Sequence, residues 1–266
     1  MHHNRLPRLV TSLLTLFFGL ALFAPLPFVV LTPGHAQDVL TKVITPAKGA
    51  PSNLKFYKSD GHIYLLSILI TNPDAYVTGA ELIYSWARSD YAVMPRSLFY
   101  KDGASAKTEK AKAKTEMVDS QLSAKVAALN YLQSNFPNVG AELIKPSDIA
   151  VSLAKTGGPS GGLAFALGIV ELLTPENILR GQSVASTGTI DEGGNVGAIG
   201  GVAEKILAAR KAGATLILVP ASNCKDLAPS VATIPKGIKI AAVSTLKEAI
   251  TALNSAAPRG CANLGA

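Results

Sequence analysis

Charge is scarce in this sequence: 16% of its 266 residues are Asp, Glu, Lys or Arg, against about 25% in an ordinary soluble domain. With 48% hydrophobic residues, that scarcity excludes an intrinsically disordered chain, which has too few apolar side chains to offset the entropy of ordering. Two cysteines exclude a disulfide scaffold, and 23 glycines without a three-residue period exclude a collagen-like chain. The four histidines, His2, His3, His35 and His62, are scattered and two sit at the terminus, so no metal centre and no metal ligand set is expected. No G-x-x-x-x-G-K-[ST] segment occurs, so the sequence holds no nucleotide site of the P-loop kind and implies no cofactor. The net charge of +7 is not gathered into a basic arm, and nucleic acid is not an expected partner.

What is present is apolar, and it is concentrated. No formally charged residue lies between Arg8 and Asp38, and Leu9 to Leu31 reads LVTSLLTLFFGLALFAPLPFVVL. That length can span a bilayer, which predicts a membrane anchor within residues 1–37, carried by residues 9–31. A cleavable signal peptide is the competing reading, because Gly34-His35-Ala36 offers small residues where a signal peptidase reads. Pro25 and Pro27 would end a continuous helix near Ala24. Arg5 and Arg8 ahead of the span favour a cytoplasmic N-terminus. Both readings therefore put the chain from about residue 38 onward on the extracytoplasmic side of a single-pass cell-membrane protein.

Residues 38–114 read as a small β-rich region with a polar linker. His62 to Thr71 is a β-rich run between Asp60-Gly61 and Asn72-Pro73, and Ala80 to Trp86 fits a strand or a short helix. Lys101 to Lys125 alternates alanine with charge and reads as a solvated loop entering a helix near Glu116–Leu132, with a basic interaction face as the other reading. Asn135 to Pro146 is a connector. Beyond it the pattern alternates. Strands are expected at Ile149–Leu153, Ser183–Ile190, Thr215–Val219 and Ile238–Val243, with helices at Gly161–Leu173, Gly201–Ala212 and Leu246–Asn254. That alternation predicts an α+β fold with a mixed α/β domain, placed at residues 115–266.

Gly157-Gly158-Pro159-Ser160-Gly161-Gly162 stands between an expected strand and an expected apolar helix. A serine there has an exposed hydroxyl, and the unpaired N–H groups of the helix start can stabilise an oxyanion. A plain glycine-rich turn with Ser160 as N-cap is the bland alternative. The α/β-hydrolase elbow requires a histidine after the serine, and all four histidines precede Ser160. A trypsin-like order could use His62 and Asp119, but helices on both sides of Ser160 do not suit a β-barrel. Ser244-Thr245-Leu246-Lys247 with Lys155-Thr156-Gly157 imitates a penicillin-binding pattern in reversed order and without its third element. The remaining option is a serine activated by a lysine whose basicity burial has lowered. At 100° per residue, Lys205 falls between Ala209 and Ala212, near Val202 and Ile206, with Glu204 and Lys211 on another face. The alternative is a surface lysine that snorkels, and Lys155 is the nearby competitor.

From Gly158 to Asp226 the sequence GPSGGLAFALGIVELLTPENI, then VASTGTIDEGGNVGAIGG, then VAEKILAARKAGATLILVPASNCKDL resembles the proteolytic domain of Lon proteases. The resemblance implies Ser160 as nucleophile within Gly158-Pro159-Ser160 and Lys205 as general base. It implies Thr187 as the residue that helps hold the lysine. Gly161 stands where the family commonly has alanine. The N-terminal apolar run, Pro33 to Val39 and Asn223-Cys224 after Val219-Pro220 look like the membrane-anchored, ATP-independent YlbL-type members. Those usually carry a PDZ domain ahead of the protease, for which about 30 residues here leave too little room.

The expectation is an ATP-independent, membrane-anchored serine endopeptidase acting on a protein or peptide substrate. Lon relatives form rings, so the resemblance also implies a homo-oligomer. The alternatives are an anchored, non-catalytic peptide-binding scaffold, or the trypsin-like reading through His62. Cys224 and Cys261 are an even pair in a compartment read as oxidising, which favours a disulfide; two free thiols are the alternative.

Overall fold

The computed structural model describes residues 7–153, 156–227 and 237–261. In chain order its elements are α1 (Arg8–Phe23), β1 (Pro25–Leu26), β2 (Phe28–Asp38), β3 (Ile44–Pro46), β4 (His62–Ile70), β5 (Val77–Thr78), α2 (Gly79–Trp86), β6 (Ala92–Pro95), α3 (Ala106–Asn135) and β7 (Ile149–Val151). After these come α4 (Gly162–Leu173), β8 (Ser183–Ser186), β9 (Thr189–Ile190), β10 (Val196–Gly197), α5 (Val202–Lys211), β11 (Leu216–Pro220), α6 (Cys224–Leu227), β12 (Lys239–Val243) and α7 (Leu246–Leu253). Contacts divide the chain into two compact units, one of residues up to 32 with 69–109, the other of 33–68 with everything from 110 onward. The units are discontinuous in sequence, so residues 38–68 group with the elements that follow 110 and not with their neighbours at 69–109.

The first unit corrects the expected membrane span. Residues 9–31 are not one helix: α1 ends at Phe23, because Pro25 forces Ala24 into extended backbone (ψ 141). The second half of the run is a strand, with Phe28–Leu31 pairing antiparallel to Ala92–Pro95. Among the described residues no helix is long and apolar enough to cross a membrane. The run at Ala80 to Trp86, open between strand and helix in the sequence, is α2, started by Thr78, whose hydroxyl accepts the Glu81 N–H. Val30, Val77 and Leu82 form this unit's small core. Helix α3 begins ten residues earlier than expected. Ser105 and Thr108 cap it reciprocally, each side chain accepting the other's N–H, and the alanine and lysine that follow are strong helix formers.

In the second unit β12, β11, β8 and β4 lie side by side in that order, all parallel. Alternate residues face opposite layers, as the pleat requires. Val184, Leu216 and Leu218 join the core under α3, α4 and α7, whereas Ala185, Ile217 and Val219 pack with Val202, Ile206 and Ala209 of α5. Every residue of α4 is buried, including Glu171, whose carboxylate accepts the Ile178 and Leu179 N–H groups and is pushed up by burial. Parallel strands covered on both faces explain the near-continuous apolar runs LILVP and IAAV. The expected strand Ser183–Ile190 is interrupted at Thr187-Gly188. The break lies between the two candidate catalytic side chains.

Candidate active site

The turn that carries Ser160 is seated on α3. The Gly158 N–H donates to the Ala113 carbonyl at 2.8 Å, and the Ser120 hydroxyl donates to the Pro159 carbonyl at 2.9 Å. A Cβ on Gly157 would stand 2.9 Å from the Ala113 methyl, and Gly158 sits at φ +90, a conformation that side-chain-bearing residues rarely adopt. Pro159 to Gly161 form a 3-10 turn that leads into α4. The Ser160 carbonyl then accepts two hydrogen bonds from the interruption after β8: the Gly188 N–H at 2.9 Å and the Thr187 hydroxyl at 3.2 Å. Leu163 N–H returns one to Gly188 O at 3.1 Å. Gly162 N–H closes onto Pro159 O.

Lys205 approaches from the other layer. Gly201, at φ +68, starts α5, and one turn later Lys205 is 2% exposed on the face that carries Val202 and Ile206. Its Nζ donates to Thr187 Oγ1 at 3.2 Å. Thr187, fully buried, thus accepts from the lysine while donating to the Ser160 carbonyl, and it links the two residues that the sequence sets 45 apart. Burial lowers the lysine from 10.5 to about 8, with Glu204 acting weakly in the opposite direction. Glu204, on another face of the helix, is itself buried.

The remaining sequence candidates separate. His62 Nδ1 bonds Asp38 Oδ2 at 2.8 Å and stacks on Tyr64, while Asp119 lies exposed on α3, so the His62–Asp119 pairing of a trypsin-like site is not assembled. Ser244 and Thr245 cap α7 with Glu248. Lys155 lies outside the described residues. Gly161 faces the core, where a Cβ would meet Leu65 Cδ1 at 2.6 Å. Cys224 and Cys261 are joined as a disulfide. Among the described residues no group of three His, Cys, Asp or Glu could hold a metal ion. Two buried polar side chains have contacts that sequence reasoning missed: among the described residues the Ser186 hydroxyl has no partner, and Asn223, noted in the sequence only as part of the Asn223-Cys224 resemblance, bonds both backbone groups of Ile199.

Residues 101–255 match the model of the Lon protease (S16) C-terminal proteolytic domain. The chain is similar to the Lon protease of Neorickettsia sennetsu, 35% identical over 131 residues, covering 47% of this chain and 16% of the relative. It is 37% identical over 130 residues to those of Azorhizobium caulinodans and Rhizobium meliloti, covering 47% of this chain and 15% and 16% of the relatives. The matched stretch is therefore about a sixth of each relative's length; Ser160, Thr187 and Lys205 lie within the residues that the family model matches. The chain belongs to the family of Lon protease (S16) C-terminal proteolytic domains.

Proposed function

We propose that this chain is a serine endopeptidase in which Ser160 is the nucleophile and Lys205 the general base. The observation that carries the reading is the lysine: almost fully buried, lowered to about 8, and one hydrogen bond from the threonine that grips the Ser160 backbone. In attack, Ser160 Oγ adds to the substrate carbonyl carbon as its proton passes to neutral Lys205 Nζ. The Ser160 N–H, at the start of the α4 turn, donates to the oxyanion that develops. The ammonium gives its proton to the amine nitrogen as the C–N bond breaks. Water, deprotonated in turn by Lys205, then hydrolyses the acyl-enzyme. Thr187 holds the lysine in place through both steps.

The finer reading is a YlbL-type member that hydrolyses polypeptides without ATP and assembles as a homo-oligomer at the outer side of a membrane. Helix α1 supports the membrane part. It exposes Leu9, Leu13, Leu16, Phe17, Phe18 and Leu20 over most of its circumference, which suits lipid better than one protein groove. At 16 residues it is about 24 Å long, so attachment to the bilayer replaces a full crossing by residues 9–31. The disulfide agrees with an oxidising compartment.

The deciding experiment is hydrolysis of fluorogenic peptides by the full chain in detergent, wild type against Ser160→Ala and Lys205→Ala, with fluorophosphonate labelling of Ser160. Both variants should be inactive, and wild-type activity should rise with pH through about 8. Activity that survives in Ser160→Ala sinks the reading. A limb near 6.5 that disappears in His62→Ala supports the trypsin-like alternative, and an unlabelled, inactive wild type supports the scaffold.

A further inference from the structure

Asn223 is 2% exposed and fully engaged. Its Oδ1 accepts the Ile199 N–H at 2.9 Å, and its Nδ2 donates to the Ile199 carbonyl at 2.9 Å and to Asp226 Oδ2 at 2.6 Å. A side chain that meets both backbone groups of one residue imitates a rung of a β-ladder. Only an amide carries the donor and the acceptor this requires on one carbon, and Asp226 fixes which end is nitrogen.

The gripped residue lies just ahead of the lysine helix. Ile199 is followed by Gly200 and Gly201, the latter the N-cap of α5, and the Gly201 carbonyl accepts the Lys205 N–H at 3.1 Å. Two successive glycines leave the backbone path into α5 poorly defined by themselves. The other side of the clamp is anchored: Asn223 closes the 3-10 turn after β11, and the adjacent Cys224 is bonded to Cys261.

We infer that Asn223 is a positioning residue for catalysis: by clamping Ile199 it sets where α5 begins and so keeps Lys205 on Thr187, beside Ser160. This rests on the Ser160–Lys205 reading. Asn223 itself is not expected to touch the reacting atoms. The charged groups nearest the clamp and the lysine are Asp226, engaged by the Asn223 amide, and Glu204 on α5 itself.

The test is the pH dependence of kcat and KM for peptide hydrolysis by the full-length enzyme carrying Asn223→Ala or Asn223→Asp. Aspartate keeps the size and the acceptor for Ile199 N–H but turns a carboxylate oxygen toward the Ile199 carbonyl and Asp226. A misplacement of about 1 Å should lower kcat about 10–100-fold while KM stays within about twofold. The rising limb should also move to higher pH, because water admitted to Nζ favours the ammonium. Asn223→Gln, which retains donor and acceptor, should recover part of both. The position of the limb does not depend on how much protein is folded, so the variant that folds better decides. A limb that stays at the wild-type pH, with kcat lost only in proportion to folded protein, overturns the inference. If instead wild-type activity survives Lys205→Ala, it is the dyad that fails.

Discussion

Replacing Lys205 by methionine should abolish activity and, at neutral pH, make the protein more stable. Lys205 is 2% exposed, and burial lowers it from 10.5 to about 8. Each tenfold change in proton affinity is worth about 1.4 kcal/mol, so carrying the proton at pH 7 costs the folded state roughly 3 kcal/mol relative to the unfolded chain. Methionine keeps the length and removes the charge. It loses the hydrogen bond to Thr187, a loss of about 1 kcal/mol, which leaves a net gain of about 2 kcal/mol at pH 7. The sign with pH is fixed by which state holds more protons. Between about 8 and 10.5 the unfolded lysine is protonated and the folded one is not, so wild-type stability rises with pH across that window. Below about 8 both states are protonated and the full penalty stands. Urea unfolding of both proteins at several pH values from 7 to 10.5 measures this directly, and the difference between them cancels every other titrating group. The gain should shrink from pH 8 upward and vanish or reverse near 10.5. A methionine variant that is less stable at pH 7, or a difference that does not change with pH, refutes the buried, weakened lysine.

Two further outcomes follow from buried groups elsewhere. Joint replacement of Cys224 and Cys261 by alanine opens a covalent loop of 37 residues and should cost about 2–4 kcal/mol, read from the urea midpoint of the non-reduced proteins; equal midpoints would show that the bridge constrains nothing. Ser186→Ala removes a buried hydroxyl that has no partner and should be neutral or stabilising by up to about 2 kcal/mol, whereas a loss of more than about 1 kcal/mol would mean that the hydroxyl is bonded in solution.

The candidate residues Ser160 and Lys205 could be singled out because their signals are local. A Gly-Pro-Ser-Gly turn before a wholly apolar helix needs no long-range knowledge, and neither does a lysine on the small apolar side of a short helix. The alternation of strand and helix from Ile149 onward was legible for the same reason. The end of the first helix near Ala24 was legible from Pro25 and Pro27, but the continuous hydropathy of Leu9 to Leu31 misled about a span, because the second half of the run is a strand made by pairing with Ala92–Pro95, which hydropathy does not report. The alternating alanine and lysine near residue 106 looked solvated, and it is; a helix can be solvated on most faces and still form, as α3 does once Ser105 and Thr108 cap it. The grip of Asn223 on Ile199 and the second hydrogen bond of Thr187 could not be read from the sequence, since each depends on a backbone group brought near from another part of the chain.

Those silent contacts bear on why the site can exist in a marginally stable protein. Lys205 and Ser186 each cost the folded state free energy, and they lie on either side of Thr187, where the sheet is interrupted. A site with a buried weak base and an unpaired hydroxyl persists only if its surroundings over-determine it. Here the surroundings are specific: α4 is buried along all of its 12 residues behind Ser160. Paired bonds join Ser160 and Leu163 to Thr187 and Gly188, and the Asn223 clamp stands ahead of α5 beside a disulfide. Local opening at the start of α5 would return the lysine to water, and the Asn223–Ile199 hydrogen bonds stand at that point. Activity and rigidity are therefore tied at this point of the fold: whatever loosens the entry to α5 should return Lys205 toward an ordinary lysine and weaken it as a base at neutral pH.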